Sequence, residues 1–312
     1  MLINIPDADD FKISAENLLN SAWNSLIKLL ENHQVFEQTG SEQDEIDTYW
    51  LYASPELTAA AAMVQHAVEF YLKSKILAIS PYLLISIEPR SLPKNSETQD
   101  LNYSEFRTLD AQDLLKIHNT FSPNRLPIEF KNWFGEMRSM RNKIMHTVDK
   151  TISVKPAELA VLILKCHEAL VGANFWIASR TSYLDRSPEH GVRIGDENGN
   201  HPYIQFAIHR ELSLVIDKLN PPESKKYFKY NKKLHTELCP NCYKTFTQCE
   251  FFDCKWTDDL VFTLQQKSDT STEMQCIVCN HTTLISELKC NECHSLSIDK
   301  FTGQCTWCAI SN

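Results

Sequence analysis

WFGEMRSMRNKIMHTV, Trp133 to Val148, is the stretch whose periodicity decides which fold to expect. At about 100° per residue, a helix gathers Trp133, Met137, Met140, Ile144 and Val148 into one apolar stripe. Such a stripe faces a helical core. Asn142 and His146 fall one turn apart on the opposite, polar face, and Arg141 flanks them with a side chain long enough to swing either way. An arginine and a histidine on such a face are usually only solvated, so their meaning depends on what surrounds the helix.

The surroundings are helical as well. Between Ile13 and Phe36 the residues Leu18, Leu19, Trp23, Leu26, Ile27 and Leu30 recur at helical spacing, with Asp10 or Ser14 as candidate caps. The polar run from Gln38 to Asp47 reads as a loop, and Ser54-Pro55-Glu56 has the cap, first-turn proline and acidic residue of a helix start. An alanine-rich helix follows. Pro81 to Ser91 reads as an extended apolar piece, Asp110 to His118 as a short helix, and Pro156 opens a long apolar helix running to Arg180. After a loop at 185–201, Ile204 to Leu219 forms a further helix that Asn220-Pro221-Pro222 ends.

Composition agrees. The chain has 312 residues, 43% of them hydrophobic and 23% charged, with only seven glycines, which favours helices over turn-rich β architecture. The acidic start MLINIPDADDF has neither the basic region nor the apolar run of a targeting peptide. Lys165, His167 and Glu168 interrupt the longest apolar stretch, so no membrane span is expected. These features predict a cytoplasmic protein. A net charge of −9 excludes a general nucleic-acid-coating role and confines any RNA contact to local basic patches. One such patch is ESKKYFKYNKK, 223–233, where Lys225, Lys226 and Lys229 can neutralise phosphates and Tyr227 and Tyr230 can stack on bases. A solvated linker is the equally good plain reading.

Ten of the eleven cysteines follow position 238, mostly as CxxC pairs; Cys166, in an apolar helix, is a small core residue. Paired knuckles at this spacing wrap a tetrahedral ion, so two structural zinc sites and no catalytic metal are expected. Cys239, Cys242, Cys276 and Cys279 form the favoured first set, with β-prone Leu260 to Leu264 between the knuckles; Cys290, Cys293, Cys305 and Cys308 form the second. Spacing leaves open a different pairing that recruits Cys249 and Cys254. The expected architecture is mainly α: a helical domain over 1–222 with its core at about 55–180, a basic and aromatic linker at 223–235, and a small β zinc-ribbon domain at 236–312.

Arg141-Asn142-Lys143-Ile144-Met145-His146 resembles the signature of HEPN-domain ribonucleases, in which a polar residue follows the arginine and a histidine stands four to six positions beyond it. Gln65, His66, Glu69, Leu72 and Lys73 resemble that family's first core helix, and Asp110 to His118 its second, with Gln112 where a histidine is frequent. The likeness covers roughly Pro55 to Arg180. It implies an up-and-down helical bundle and a metal-independent endoribonuclease, in which the ribose 2′-hydroxyl attacks the adjacent phosphate. His146 would be the acid or base, Arg141 would hold the phosphate, and Asn142 would orient one of them.

It further implies a homodimer with a composite Arg/His cleft, an RNA substrate such as transfer RNA, an antitoxin or regulatory partner, and a toxin or antiviral defence role. Val148 stands where members paired with a nucleotidyltransferase antitoxin carry a tyrosine. Two alternatives compete: a non-catalytic HEPN-like dimer scaffold whose zinc ribbons bind RNA or a partner protein, and a zinc-ribbon adaptor on duplex DNA.

Overall fold

The computed structural model describes residues 1–86, 93–94, 98–146, 153–187 and 202–234. In the cysteine-rich region it describes 236–237, 239, 241–242, 245, 263–268, 271–284, 290–293, 298–300, 302–303 and 305; the side chains at 145, 146, 202 and 203 are not described. The protein is mainly helical with a small antiparallel sheet, and divides into two compact units, Met1–Gly172 and Ala173–Asn312.

In the first unit, β1 (Leu2–Ile3) pairs in parallel with β2 (Leu101–Asn102), and five helices follow in order: α1 (Ala8–Gln38), α2 (Gln43–Leu77), α3 (Ala111–Phe121), α4 (Ile128–His146) and α5 (Pro156–Leu170). α2 is the hub, packing on α1, α3, α4 and α5. Its buried Leu57, Ala61, Val64, Val68 and Leu72 repeat every three or four residues, and Leu19, Trp23, Leu26 and Leu30 of α1 repeat likewise. Alanines at 60, 61 and 67 are fully buried, which lets the neighbouring backbones approach closely. Leu114, Met137, Leu159 and Ile163 complete the core.

Several boundaries differ from expectation. α1 begins earlier because Asp7 caps it, accepting from the Asp9 amide at 3.1 Å while Asp10 accepts from the Asp7 amide at 2.9 Å. The run at 38–47 contracts to a turn, since Glu45 accepts from the Glu42 amide and starts α2 there. Pro55 therefore lies inside α2 instead of opening it. The segment before it is held by packing: the Tyr49 hydroxyl donates to the Leu29 carbonyl at 2.6 Å, and His33, Phe36, Tyr49 and Trp50 form one aromatic cluster across α1 and α2. Pro81–Leu84 is a 3-10 turn, after which Ile85 bridges Thr108, so the apolar run is not simply extended.

The helix expected from Pro156 to Arg180 breaks after Leu170. Gly172 and Asn174 take positive φ, 146° and 62°, a region that a continuous helix cannot include. The break coincides with the boundary between the units. α6 (Trp176–Arg186), α7 (Pro202–Lys218) and α8 (Pro221–Phe228) thus group with the cysteine-rich region, not with the bundle.

In the second unit, α6 and α7 are joined by a buried ion pair: Arg180 donates from Nη2 to Glu211 Oε1 at 2.7 Å and from Nε to Oε2 at 2.9 Å. Asn220 caps α8, accepting from the Glu223 amide at 2.9 Å, so part of the supposed 223–235 linker is helix. Four short antiparallel strands follow in spatial order: β3 (Thr236–Glu237), β4 (Leu264–Gln266), β5 (Glu273–Cys276) and β6 (Thr282–Leu284). Met274 and Cys276 are buried while Gln275 between them is exposed, the alternation of a one-faced sheet.

Candidate functional site

α4 realises the predicted stripe: Trp133 and Met137 are buried and Met140 and Ile144 half-buried, while Val148 lies outside the described residues. Asn142 is exposed and Arg141 half-exposed, and Arg141 Nη1 donates to Asn142 Oδ1 at 3.4 Å. His146 is the last described residue of the helix, and its side chain lies outside the described residues. Arg141 and Asn142 are thus brought together, Asn142 on the face turned from the core and Arg141 at its flank. On α2, Gln65 Nε2 donates to Glu69 Oε1, and Lys73 lies over the Phe70 ring at 5.7 Å.

The cysteines form two clusters. Sγ atoms of Cys239, Cys242, Cys276 and Cys279 lie within 4.8 Å of one another, as do those of Cys290, Cys293 and Cys305. A metal–sulfur bond of about 2.3 Å fixes the edges of a tetrahedron of sulfurs at about 3.8 Å. The pairs Cys239–Cys279 at 3.6 Å, Cys242–Cys276 at 3.8 Å and Cys293–Cys305 at 3.5 Å fit that edge. The first set matches the favoured pairing. Cys308, expected as the fourth ligand of the second, lies outside the described residues, as do Cys249 and Cys254.

The first cluster is built for thiolates. β5 delivers Cys276 at its end, and the amides of Val278 and Cys279 approach its sulfur at 3.4 and 3.5 Å; Asn280 then adopts φ 58° as its amide donates to the Cys276 carbonyl at 3.0 Å. Hydrogen bonds with Cys239, Cys242 and Cys276 hold the Cys279 thiol far below its usual range, whereas those with Cys239, Cys276 and Cys279 push the Cys242 thiol up. Four sulfurs in this space compete for protons, and one cation that accepts them all as thiolates removes the competition. A closed four-sulfur set would leave an ion held there no position for a reacting water.

In the second cluster, Ile298 bridges Cys305, and the fully buried Asp299 accepts from the Thr302 amide at 2.8 Å and from the Thr283 hydroxyl, holding the turn at Gly303 (φ 68°). Sequence reasoning missed Asp299, and also Gln205, whose Nε2 donates to Cys242 Sγ at 3.1 Å. Gln205 stands 37 residues from its sulfur, on a helix, and nothing in the spacing of the cysteines points to it.

Of the basic and aromatic residues, Lys225, Lys226 and Lys229 are exposed and Tyr230 half-buried. Tyr227 is only 8% exposed, with Lys226 Nζ 4.7 Å from its ring centroid, too enclosed to stack on a base. Lys225 and Lys229 are exposed to phosphate, whereas Lys226 is engaged by Tyr227 and the expected Tyr227 contact is lost. No helix among the described residues is long and apolar enough to cross a membrane. Comparison with protein-family models, with curated proteins and with solved structures finds no match for the chain.

Proposed function

We propose that the protein is a metal-independent endoribonuclease of HEPN type, with Arg141, Asn142 and His146 as its catalytic residues. The observation that carries this reading is the outward face of α4. The helix buries Trp133 and Met137 yet sets Arg141 against an exposed Asn142, one turn before His146. Packing explains the buried face and gives no reason for Arg141 and Asn142 beside it, nor for a histidine four residues further on. Placement of α4 third among α2, α3, α4 and α5, with the last three packed on α2, accords with the order the resemblance implies.

In the reaction, a base removes the proton from the ribose 2′-hydroxyl, whose oxygen attacks phosphorus and expels the 5′-oxygen. The products are a 2′,3′-cyclic phosphate and a 5′-hydroxyl end. His146 serves as the proton-transfer group because imidazole titrates near neutrality. The Arg141 guanidinium holds the phosphate through its planar fork and offsets charge building on its oxygens. Residues five apart on a helix point about 140° from one another. Arg141 of one copy therefore works with His146 of a second across a two-fold axis. The two cysteine clusters hold structural zinc, one ion each, and the metal takes no part in cleavage.

Complementation tests the composite site. Arg141→Ala and His146→Ala should each be inactive, while an equimolar mixture should recover about a quarter of wild-type cleavage, since half of the dimers then carry one intact site of two. Full activity of either variant alone would overturn the assignment.

A further inference from the structure

The second unit contains a cleft of about 1140 Å³ that the cleavage reading does not use. Its walls come from α6, α7, α8, the strand pair β4–β5 and the knuckle loop that follows β5. At this volume it exceeds the roughly 300–1,000 Å³ of a small-molecule site, which suits a segment of a chain.

Three kinds of surface meet there. Lys225 and Lys229 are exposed on its rim; Lys267, also lining it, is paired with Glu273 at 2.5 Å. Among the described lining residues, three are lysines and one, Asp185, is a carboxylate, in a chain that is net negative. Ile177, Ile277 and Val278 supply apolar surface. Between these lie amides. Those of Gln205 and Gln265 are committed to the fold: Gln205 donates to Cys242 Sγ, and Gln265 exchanges two hydrogen bonds with the Asn231 backbone at 2.8 and 3.0 Å, fastening the loop after α8 onto β4. Asn174, Gln275 and Asn280 are exposed, and their side chains make no hydrogen bond among the described residues.

We infer that this cleft binds a short single-stranded oligonucleotide, with its phosphates on Lys225 and Lys229 and its unpaired base edges on Gln275, Asn280 and Asn174. A primary amide offers a donor and an acceptor in one plane, the pattern that base edges present, and it lies here between lysines and apolar side chains, which suit phosphates and ring faces. Apolar side chains take up ring faces that are hidden in a duplex. The knuckle fixes one wall, because Cys276, Ile277, Val278 and Asn280 all line the cleft beside the first cluster. The inference does not depend on catalysis at α4.

The test is fluorescence anisotropy on the full chain with unstructured ten-nucleotide probes of DNA and of 2′-O-methyl RNA, neither of which can be cleaved through a 2′-hydroxyl. Duplex DNA and an oligoglutamate of equal length are the comparators. Each phosphate contact on a single strand contributes about 0.7 to the slope of log affinity against log salt, so Lys225→Glu with Lys229→Glu should weaken binding about tenfold or more and flatten that slope by about 1.4. Lys225→Gln with Lys229→Gln should give the same flattening without reversing charge. Gln275→Ala should weaken binding about threefold or more and leave the salt slope unchanged, since an amide contacts no phosphate. Stronger RNA than DNA binding would assign the site to RNA, and equal binding to single strands of either kind. The inference is overturned if the paired lysine variants bind as wild type, if Gln275→Ala has no effect, or if oligoglutamate or the duplex binds as tightly as the single strands.

Discussion

His167 shows how far a single side chain can depart from its sequence reading. As a polar interruption in an apolar run it counts against a membrane span, yet in α5 it is only 2% exposed. Burial pushes its imidazole down from 6.5 to about 4. Its folded pKa lies below the unfolded value, so the unfolded chain binds the extra proton first. The neutral, folded form is fully favoured above about pH 6.5, and stability is lost as pH falls from there towards 4. The loss at about pH 4.5 should reach about 2–3 kcal/mol, because each pH unit crossed between the two values costs about 1.4 kcal/mol. Denaturant midpoints across this range should fall less steeply for His167→Gln than for wild type; parallel profiles would show that another group governs the acid limb. Neither this burial nor the Arg180–Glu211 pair is visible in local sequence, because both arise from elements that meet only on folding.

Helix α2 illustrates the same point for an element. Ser54-Pro55-Glu56 is a good start signal, and the chain overrides it because the residues before it gain more by docking on α1 than the proline costs. Proline in a helix interior removes a backbone donor and crowds the carbonyl four residues back, here that of Leu51, at a cost of about 3 kcal/mol. Pro55→Ala should therefore stabilise the protein by about 1–3 kcal/mol in urea unfolding. A fall in stability would mean that Pro55 begins the helix after all. The apolar periodicity of α1, α2, α4 and α7 was legible because amphipathic helices carry their own record of the buried face. Capping by Asp7 and Glu42 was missed because the flanking polar runs offer several equivalent carboxylates. In the region after α5, Gly172 and Asn174 were the available signal for a break, submerged in an otherwise apolar helical pattern.

The division between units separates what holds each together. Met1–Gly172 has a broad core of Leu, Ile, Val, Ala and aromatic side chains centred on α2, whereas the buried groups around β4 and β5 are largely cysteines, with Leu264 and Met274. Clusters with so little apolar surface would depend on the metal proposed for them. Stripping metal with a strong chelator should collapse the four-stranded sheet and expose its thiols to a thiol reagent, while far-UV circular dichroism keeps most of the helical signal of α1–α5. Unchanged thiol accessibility would contradict the metal-bound clusters. Cysteine spacing foretold the first cluster because a knuckle needs only local sequence, but not Gln205 or Asp299, which tertiary packing brings in. The decisive measurement for the protein as a whole is cleavage of labelled total RNA by wild type and His146→Ala, in magnesium-free buffer with EDTA and with zinc content verified. Cleavage by wild type alone, leaving 2′,3′-cyclic phosphate ends, is the predicted result; RNA left intact by both proteins, or cut equally by both, would contradict a nuclease site on α4.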